Sequence, residues 1–420
     1  MNKKLKHIAV LPLLALLALV LVSGGAIATP NWSAYEVINT PYATTDDYGD
    51  NDDSLSIAVD IAGTIHAVWQ SDFDYTLEDQ STTGDDGDIF YSYNDGSGWE
   101  APVLVNTYGD DDDGASDYAP HIAIDSSDTL HVVWNAHYDI ENGEYSGDAD
   151  LFYAKNSGSG WSDAVSISDT YETWVVWSQK YGAEAHDDLH AHLVCVNDTL
   201  HIVWQSQYTE IGRYPAGIDS DIFYIYKPAE GGSWSDPEFA NSYYANLTGS
   251  QDFVPKVHVS DDGTVHVTWQ STYDDDGTGN DPDIFYGRRS ATTETWLDAE
   301  VVNISFARDD RGYDANPCVT EDASGTAMVI WESKADTAAG FDIDYDILYA
   351  IRDSSYEEGE YWSESGNVNS DAETDDAPPE LTISDDKFPA LTKSHTGTIH
   401  AIWVKNDYPT DRICQASYVD

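Results

Sequence analysis

GTIHAVW at 63–69, DTLHVVW at 128–134, NDTLHIVW at 197–204, GTVHVTW at 263–269, GTAMVIW at 325–331 and GTIHAIW at 397–403 are six copies of one segment. Their closing tryptophans, Trp69, Trp134, Trp204, Trp269, Trp331 and Trp403, stand 62 to 72 residues apart. In five copies a polar stretch follows and ends in Asp-Ile/Leu-Phe/Leu-Tyr, as at Asp88-Ile89-Phe90-Tyr91 and Asp283-Ile284-Phe285-Tyr286. The sixth, Asp411-Arg412-Ile413-Cys414, is degenerate. A Gly-containing turn and a second Trp come next, at Trp99, Trp161, Trp234, Trp296 and Trp362. Short runs rich in Val, Ile, Thr and aromatic residues read as strands, so each unit holds four. A four-stranded antiparallel unit repeated six times predicts an all-β, six-bladed β-propeller.

The ends of the repeat array suggest closure. Blade six runs out after its third strand, near Tyr418, whereas residues 31–40 match the fourth-strand segment from Trp99 to Thr107. The expectation is one domain over 29–420, with 31–40 completing blade six. Ahead of it, Lys3, Lys4 and Lys6, an apolar run from Ile8 to Val22 and Ala26-Ile27-Ala28 have the layout of a secretory signal peptide over 1–28. The mature chain is then secreted or held at the cell surface. Later apolar runs are too short to span a bilayer, so no further membrane span is expected. Cys195, Cys318 and Cys414 are odd in number and lack CxxC spacing, which argues against a disulfide framework or a cysteine zinc site.

Charge narrows the partners. With 18 basic and 77 acidic residues the formal charge is −59, which excludes recognition of a nucleic-acid backbone through a basic surface. The acids concentrate in the long loops at the upper end of the blades, where each first strand begins. An Asp recurs 17 residues before the strand-two Trp, or 16 in blade three: Asp52, Asp117, Asp188, Asp252, Asp314 and Asp386. This ring is read first as architecture, because Asp accepts hydrogen bonds from loop amides. A second Asp opens strand three and is preceded two residues earlier by another, giving Asp86-x-Asp88, Asp148-x-Asp150, Asp219-x-Asp221, Asp281-x-Asp283 and Asp344-x-Asp346. Alternate residues of an extended segment point the same way, so each pair can offer hard oxygens to Ca²⁺. A solvated, salt-adapted surface is the alternative.

His66, His131, His201, His266 and His400 share one strand-two position. They are read as satisfied core histidines that pack between blades, not as converging metal ligands. The irregular stretch 171–188 departs from the repeat and offers Trp174 and Trp177 as sugar-stacking candidates; Arg213, Arg308 and Arg311 are the upper-loop arginines that could hold an acidic sugar. Asn31, Asn197, Asn246 and Asn303 open N-x-S/T sequons.

The combination Asp-x-x-Gly-Thr-x-His-x-x-Trp, Asp-Ile-Phe-Tyr and Gly-x-x-Trp resembles the secreted BNR-type repeat proteins of the sialidase-like β-propeller superfamily, over nearly all of 31–420. Strict Asp boxes, Ser-x-Asp-x-Gly-x-x-Trp, and an Arg-Ile-Pro motif are absent, so the resemblance implies a divergent relative without sialidase activity. The resulting expectation is a monomeric binding propeller that takes a carbohydrate or a cell-surface protein on its acidic face. The alternative is a carbohydrate-active enzyme, a glycoside hydrolase or polysaccharide lyase.

Overall fold

A computed structural model describes residues 38, 52–72, 86–106, 115–139, 144–168, 187–206, 220–241, 250–273, 282–303, 313–322, 324–334, 345–352, 361–363, 365–368, 384–393, 398–407 and 410–418. Every regular element among them is a strand. By contacts the chain divides into two units, 1–185 and 186–420.

The first unit holds two sheets. One is β1 (Asp52–Val59), β2 (Ile65–Ser71), β3 (Asp88–Asn94) and β4 (Val103–Leu104). The other is β5 (Asp117–Ile124), β6 (Leu130–Asp139), β7 (Glu144–Asn156) and β8 (Val165–Ser166). The second unit holds four. They are β9 (Asp188–Val196), β10 (Thr199–Ser206), β11 (Asp221–Pro228) and β12 (Glu238–Phe239); then β13 (Asp252–Val259), β14 (Val265–Ser271), β15 (Asp283–Arg289) and β16 (Glu300–Val301). Next come β17 (Asp314–Glu321), β18 (Ala327–Ser333), β19 (Asp346–Ile351) and β20 (Gly366–Asn367). The sixth is three-stranded: β21 (Ser384–Lys393), β22 (Ile399–Asp407) and β23 (Thr410–Tyr418). All six are antiparallel with strands in sequence order, the blade expected from the repeats. Of residues 31–40, only Ile38 lies among the described residues.

Register corrects the sequence reading in two places. In blade two, where the sequence predicts a long upper loop beyond Trp134, β6 and β7 continue their ladder as far as Asp139 opposite Glu144. In the sixth sheet Trp403 stands opposite Cys414, as Trp134 stands opposite Phe152. Arg412, not Asp411, therefore occupies the position of the Asp that opens strand three.

Elsewhere one row crosses every sheet at its upper end, with the first-strand Asp opposite the last residue of strand two and that residue opposite the strand-three Asp. Examples are Asp252, Ser271 and Asp283, and Asp314, Ser333 and Asp346. An Asn that closes strand four joins this row to the next sheet. Asn303 Nδ2 donates to Asp283 Oδ1 at 2.8 Å and to Asp314 Oδ2 at 2.5 Å, while its Oδ1 accepts the Ile284 amide at 3.1 Å. Asn106 does the same between Asp88 and Asp117, and Asn241 donates to both Asp221 and Asp252. All three asparagines are fully buried. The other oxygen of the first-strand Asp accepts the strand-two indole: Trp134 on Asp117, Trp204 on Asp188, Trp331 on Asp314 and Trp403 on Asp386, at 2.7 to 3.0 Å. Trp269 is equally buried but its Nε1 makes no such bond. Blade three keeps its bond despite the one-residue deletion because Asn197 and Asp198, both at positive φ, close β9 and β10 with a two-residue turn.

Packing between sheets repeats lower down. Trp161, Trp296 and Trp362 set their edges on Tyr91, Tyr224 and Tyr286 of the preceding sheet, with ring centroids 5.1 to 5.4 Å apart. In the second unit Arg289 grips Glu238 and Arg352 grips Glu300 through two bonds each, and the carboxylate also accepts the Trp296 or Trp362 indole.

Replacing Asn303 by Asp removes both amide donors from between two buried carboxylates and adds a third. N303D is expected to lose about 3 kcal/mol or more of stability, read as the urea midpoint, whereas N197D in its exposed turn stays near wild type. A loss at Asn303 no larger than at Asn197 would show that the Asn bridge is not what joins the sheets.

Candidate functional site

The ring Asp residues are consumed by the fold. Asp117 and Asp314 each use both oxygens on the Trp and Asn donors just described. In the sixth sheet Asp386 takes the Trp403 indole and, in place of an Asn, the ammonium of buried Lys405 at 3.5 Å. The side chain of Asp52 lies outside the described residues.

The second member of each Asp-x-Asp pair is buried: Asp88, Asp150, Asp221, Asp283 and Asp346. Asp150 accepts Ser168 Oγ at 3.0 Å where Asp88, Asp221 and Asp283 have an Asn. Of the first members, Asp86 is half-buried; the side chain of Asp148, and Asp219, Asp281 and Asp344 altogether, lie outside the described residues. No group of three or more His, Cys, Asp or Glu among the described residues could hold a metal ion. The donor chemistry explains this for the ring: amide and indole N–H groups already meet the negative oxygens that a cation would need. Trp174, Trp177, Arg213, Arg308 and Arg311 also lie outside the described residues.

Four strand-two histidines find a hydrogen-bond partner within their own blade rather than between blades. Nδ1 of His66, His131, His201 and His266 meets the hydroxyl of Tyr91, Tyr153, Tyr224 and Tyr286 at 2.6 to 2.8 Å. Nε2 of His131 faces Asp125, in the turn between strands one and two, at 3.3 Å, and His66 faces Asp60 in the equivalent turn at 3.6 Å. In the fourth sheet Ser260 stands where those sheets have the Asp, and a carboxylate arrives from the fifth. Ser260 Oγ donates to Glu321 Oε2 at 2.5 Å, so it accepts from His266 Nε2–H, and His266 Nδ1 accepts from Tyr286. Lys393 of the sixth sheet caps Glu321 Oε1 at 3.1 Å. Burial raises the Glu321 carboxyl, but the Ser260 and Lys393 bonds outweigh it and leave it below the usual range.

What the architecture does not consume lies on the first strands. β9, β13, β17 and β21 sit side by side in the second unit. Along each, the fourth residue counted from the ring Asp is included in the core, as with Ala191, Pro255, Pro317 and Pro389, while the third and fifth positions face away. The third residue counted from the ring Asp has positive φ in all six sheets: Ser54, Ala119, His190, Val254, Asn316 and Phe388, at 48° to 55°. Each sits in a β-bulge where the first-strand register shifts. For Val and Phe this backbone is strained. Strand two of the preceding sheet holds it: Gln205, Gln270 and Glu332 side chains accept the amides of Val254, Asn316 and Phe388 at 2.8 to 3.2 Å. A sequence signal exists for this bulge, the Asp-x-x-Pro at Asp117-Pro120, Asp252-Pro255, Asp314-Pro317 and Asp386-Pro389, since Pro lacks the N–H that a bulge leaves out of the ladder.

The side chains on this fixed backbone differ. His190 and His192, Val254 and Lys256, Asn316 and Cys318, and Phe388 and Ala390 succeed one another on the four strands of the second unit. Phe388 is 62% exposed. His190 has solvent contact, yet the protein crowding it holds its pKa down, with Lys256 adding to the effect and a bond to Gln205 opposing it. His192 Nδ1 accepts the Val257 amide at 3.4 Å, tying β9 to β13. Cys318 donates to the Pro389 carbonyl at 3.1 Å, and burial pushes its thiol up.

Among the sequons, Asn303 is buried with its amide fully bonded and cannot accept a glycan in the folded chain. Asn197 sits in an exposed turn; Asn31 and Asn246 lie outside the described residues. No helix among the described residues is long and apolar enough to cross a membrane.

No protein-family model matches the sequence, and no curated protein does. Among solved structures, a polysaccharide lyase described as an ulvan lyase is similar with a TM-score of 0.51 at 11% identity, over 86% of this chain and 78% of its own. The NanB sialidase of Streptococcus pneumoniae is similar with a TM-score of 0.50 at 9% identity, over 92% of this chain and 70% of its own. At such identities the likeness is one of fold alone.

The buried histidines make stability depend on pH. Burial pushes His201 down to about 4, helped by the Arg289 charge, and His266 down to about 3, helped by His258. The unfolded chain takes these protons near 6.5 and the folded chain does not, so stability is full above 6.5 and falls as pH drops toward 4. The slope is at most about 1.4 kcal/mol per pH unit for each histidine. Urea unfolding between pH 7.5 and 4.5 is expected to be less steep in pH for H201Q/H266Q than for wild type. Parallel profiles would refute the assignment.

Proposed function

We propose that the chain is an exported, sialidase-like β-propeller that binds a carbohydrate, free or displayed on a cell surface, at the upper ends of its first strands. The observation that carries this reading is a strained backbone repeated in every sheet beneath side chains that are not repeated. Residues that build blades recur, as the Asp, Asn and Trp do; residues that select a ligand need not. In the second unit the varied positions offer an exposed aromatic face in Phe388, on which a sugar ring can stack, and polar groups in His190, Lys256 and Asn316 that can donate to hydroxyls or an anionic substituent. The likeness to a polysaccharide lyase and a sialidase supports carbohydrate as the ligand class.

Two finer points belong to the same proposal. Ca²⁺ enters at the first Asp of each Asp-x-Asp pair and the acidic loops around it, since the second Asp and the ring Asp already have donors. Residues 31–40 complete the sixth sheet: Ile38 is buried against Ala67, Trp69 and Phe90, as Val105 at the end of the first sheet is buried against Ile122, Trp134 and Phe152 of the second.

Calorimetry against neutral and acidic polysaccharides, with and without chelator, tests the binding. F388A is expected to weaken it about tenfold with the melting temperature unchanged, and chelator to weaken it further. Unaltered affinity in F388A would move the site elsewhere, and release of shortened or unsaturated products during the titration would select the enzymatic alternative. Deleting 29–40 is expected to lower the melting temperature by several degrees by opening the β23 edge; an unchanged value would refute closure.

A further inference from the structure

Two of the chain's 18 basic side chains converge on one ring. Lys334 Nζ lies 4.5 Å and Lys387 Nζ 4.4 Å from the centroid of Tyr345, so the two ammonium groups are no farther apart than those distances together. One lysine over one ring is ordinary packing, as with Lys227 over Trp234 at 4.6 Å. Two bring like charges together, at a cost that a negative group between them would relieve. Backbone bonds at the upper ends of the fifth and sixth sheets fix the arrangement. Lys334, one residue beyond β18, donates its amide to the Tyr313 carbonyl at 3.2 Å, and Tyr345, just ahead of β19, accepts the Asp386 amide at 2.7 Å. The Tyr313 and Tyr345 rings meet edge to face with centroids 6.4 Å apart. Lys387 is followed directly by Phe388, whose amide Glu332 holds. Lys334, Lys387 and Tyr345 are half-buried while Tyr313 and Phe388 are exposed, so the group opens to solvent beside the aromatic face proposed for stacking. Carboxylates at this junction serve the frame: Asp314 takes Trp331 and Asn303, Asp386 takes Trp403 and Lys405, and Glu332 takes the Phe388 amide.

We propose that Lys334 and Lys387, gathered at the Tyr345 ring, form a subsite for a tetrahedral oxyanion, a sulfate or phosphate ester carried by the sugar that stacks on Phe388. The inference rests on the first-strand surface being the ligand site and adds what the ligand carries. An arginine fork would match the two coplanar oxygens of a carboxylate, whereas an ammonium is a compact point charge with rotatable donors and no such plane. Two ammonium groups that reach one ring from different strands therefore suit a group whose terminal oxygens diverge, as those of a sulfate or phosphate ester do. The ring face attracts both cations without neutralising them; a carboxylate in its place, like Glu321 beside Lys393, would take up the donors itself. The charge of the whole chain sharpens the selection. A molecule of formal charge −59 repels anions at a distance, but at 0.15 M salt that field decays over about 8 Å. An oxyanion is then retained only in contact with cations, and here two stand together.

The test follows each lysine by NMR of the wild-type protein carrying lysine labelled with carbon-13 at Cε, at neutral pH and physiological salt. Four sugars that differ only at the sixth carbon are titrated in turn: glucose, glucuronate, glucose 6-sulfate and glucose 6-phosphate. Lys334 and Lys387 are expected to shift together, with one dissociation constant, on adding a sulfate or phosphate ester, about tenfold more weakly with glucuronate, and not with glucose, while exposed Lys155 stays still. A response to one ester and not the other names the oxyanion. K334Q and K387Q are each expected to weaken the response of the remaining lysine about tenfold. Silence of both lysines, equal shifts with glucuronate, or movement of every lysine alike overturns the proposal. If polysaccharide still binds in that case and F388A still weakens it, only the anion subsite falls; if neither holds, the reading of the surface as a carbohydrate site falls with it.

Discussion

Two carboxylates buried side by side would repel each other apart, and this molecule places such pairs at three junctions between successive sheets, Asp88 with Asp117, Asp221 with Asp252 and Asp283 with Asp314. The Asn between them resolves the conflict with a neutral group: one amide carries two N–H donors in a fixed fork, enough for one oxygen on each side, and its carbonyl takes a backbone amide as well. Each blade is thereby completed by its neighbour. An acidic protein has thus turned part of its surplus charge into its joints, and the remainder is free for the loops above them.

Sequence spacing exposed the skeleton of this arrangement but not its purpose. The interval of 17 residues between Asp and Trp marks a hydrogen bond at Asp117, Asp314 and Asp386, because those residues begin one strand and nearly end the next. Asn106, Asn241 and Asn303 carry no comparable signal; one of them sits in a sequon and reads as a surface residue until its burial is known. The histidines were legible as core residues, yet their partners were not, because the Tyr hydroxyl lies across the ladder and the blade-five carboxylate reaches Ser260 from outside the repeat. The first-strand surface was the hardest to read. A positive φ in Val254 or Phe388 contradicts what those residues prefer locally, so only tertiary context can impose it, and the Asp-x-x-Pro that accompanies it looks like an ordinary turn.

The structure separates two kinds of repetition. Side chains that recur (Asp, Asn, Trp, and the His–Tyr pairs) are spent on holding sheets together. The bulge recurs too, but as backbone only, and every residue type set on it is different. Strain that is shared by all six sheets, and held at Val254, Asn316 and Phe388 by the Gln or Glu of the preceding sheet, gives the varied side chains a stiff mounting, which binding sites need more than they need any one residue.

The fourth strands are only two residues long, and in three sheets the second residue beyond them is the Asn that bridges to the next, Asn106, Asn241 and Asn303. Constraint on the outer edge of a blade is thereby confined to a few consecutive positions, and the chain is released directly afterwards. Above that level the ladder can be prolonged, as β6 and β7 prolong it to Asp139 and Glu144, without disturbing the row beneath. A molecule built this way can lengthen, exchange or ornament its upper loops one blade at a time, and relatives that share its blades could part company in what they recognise long before they differ in how they fold.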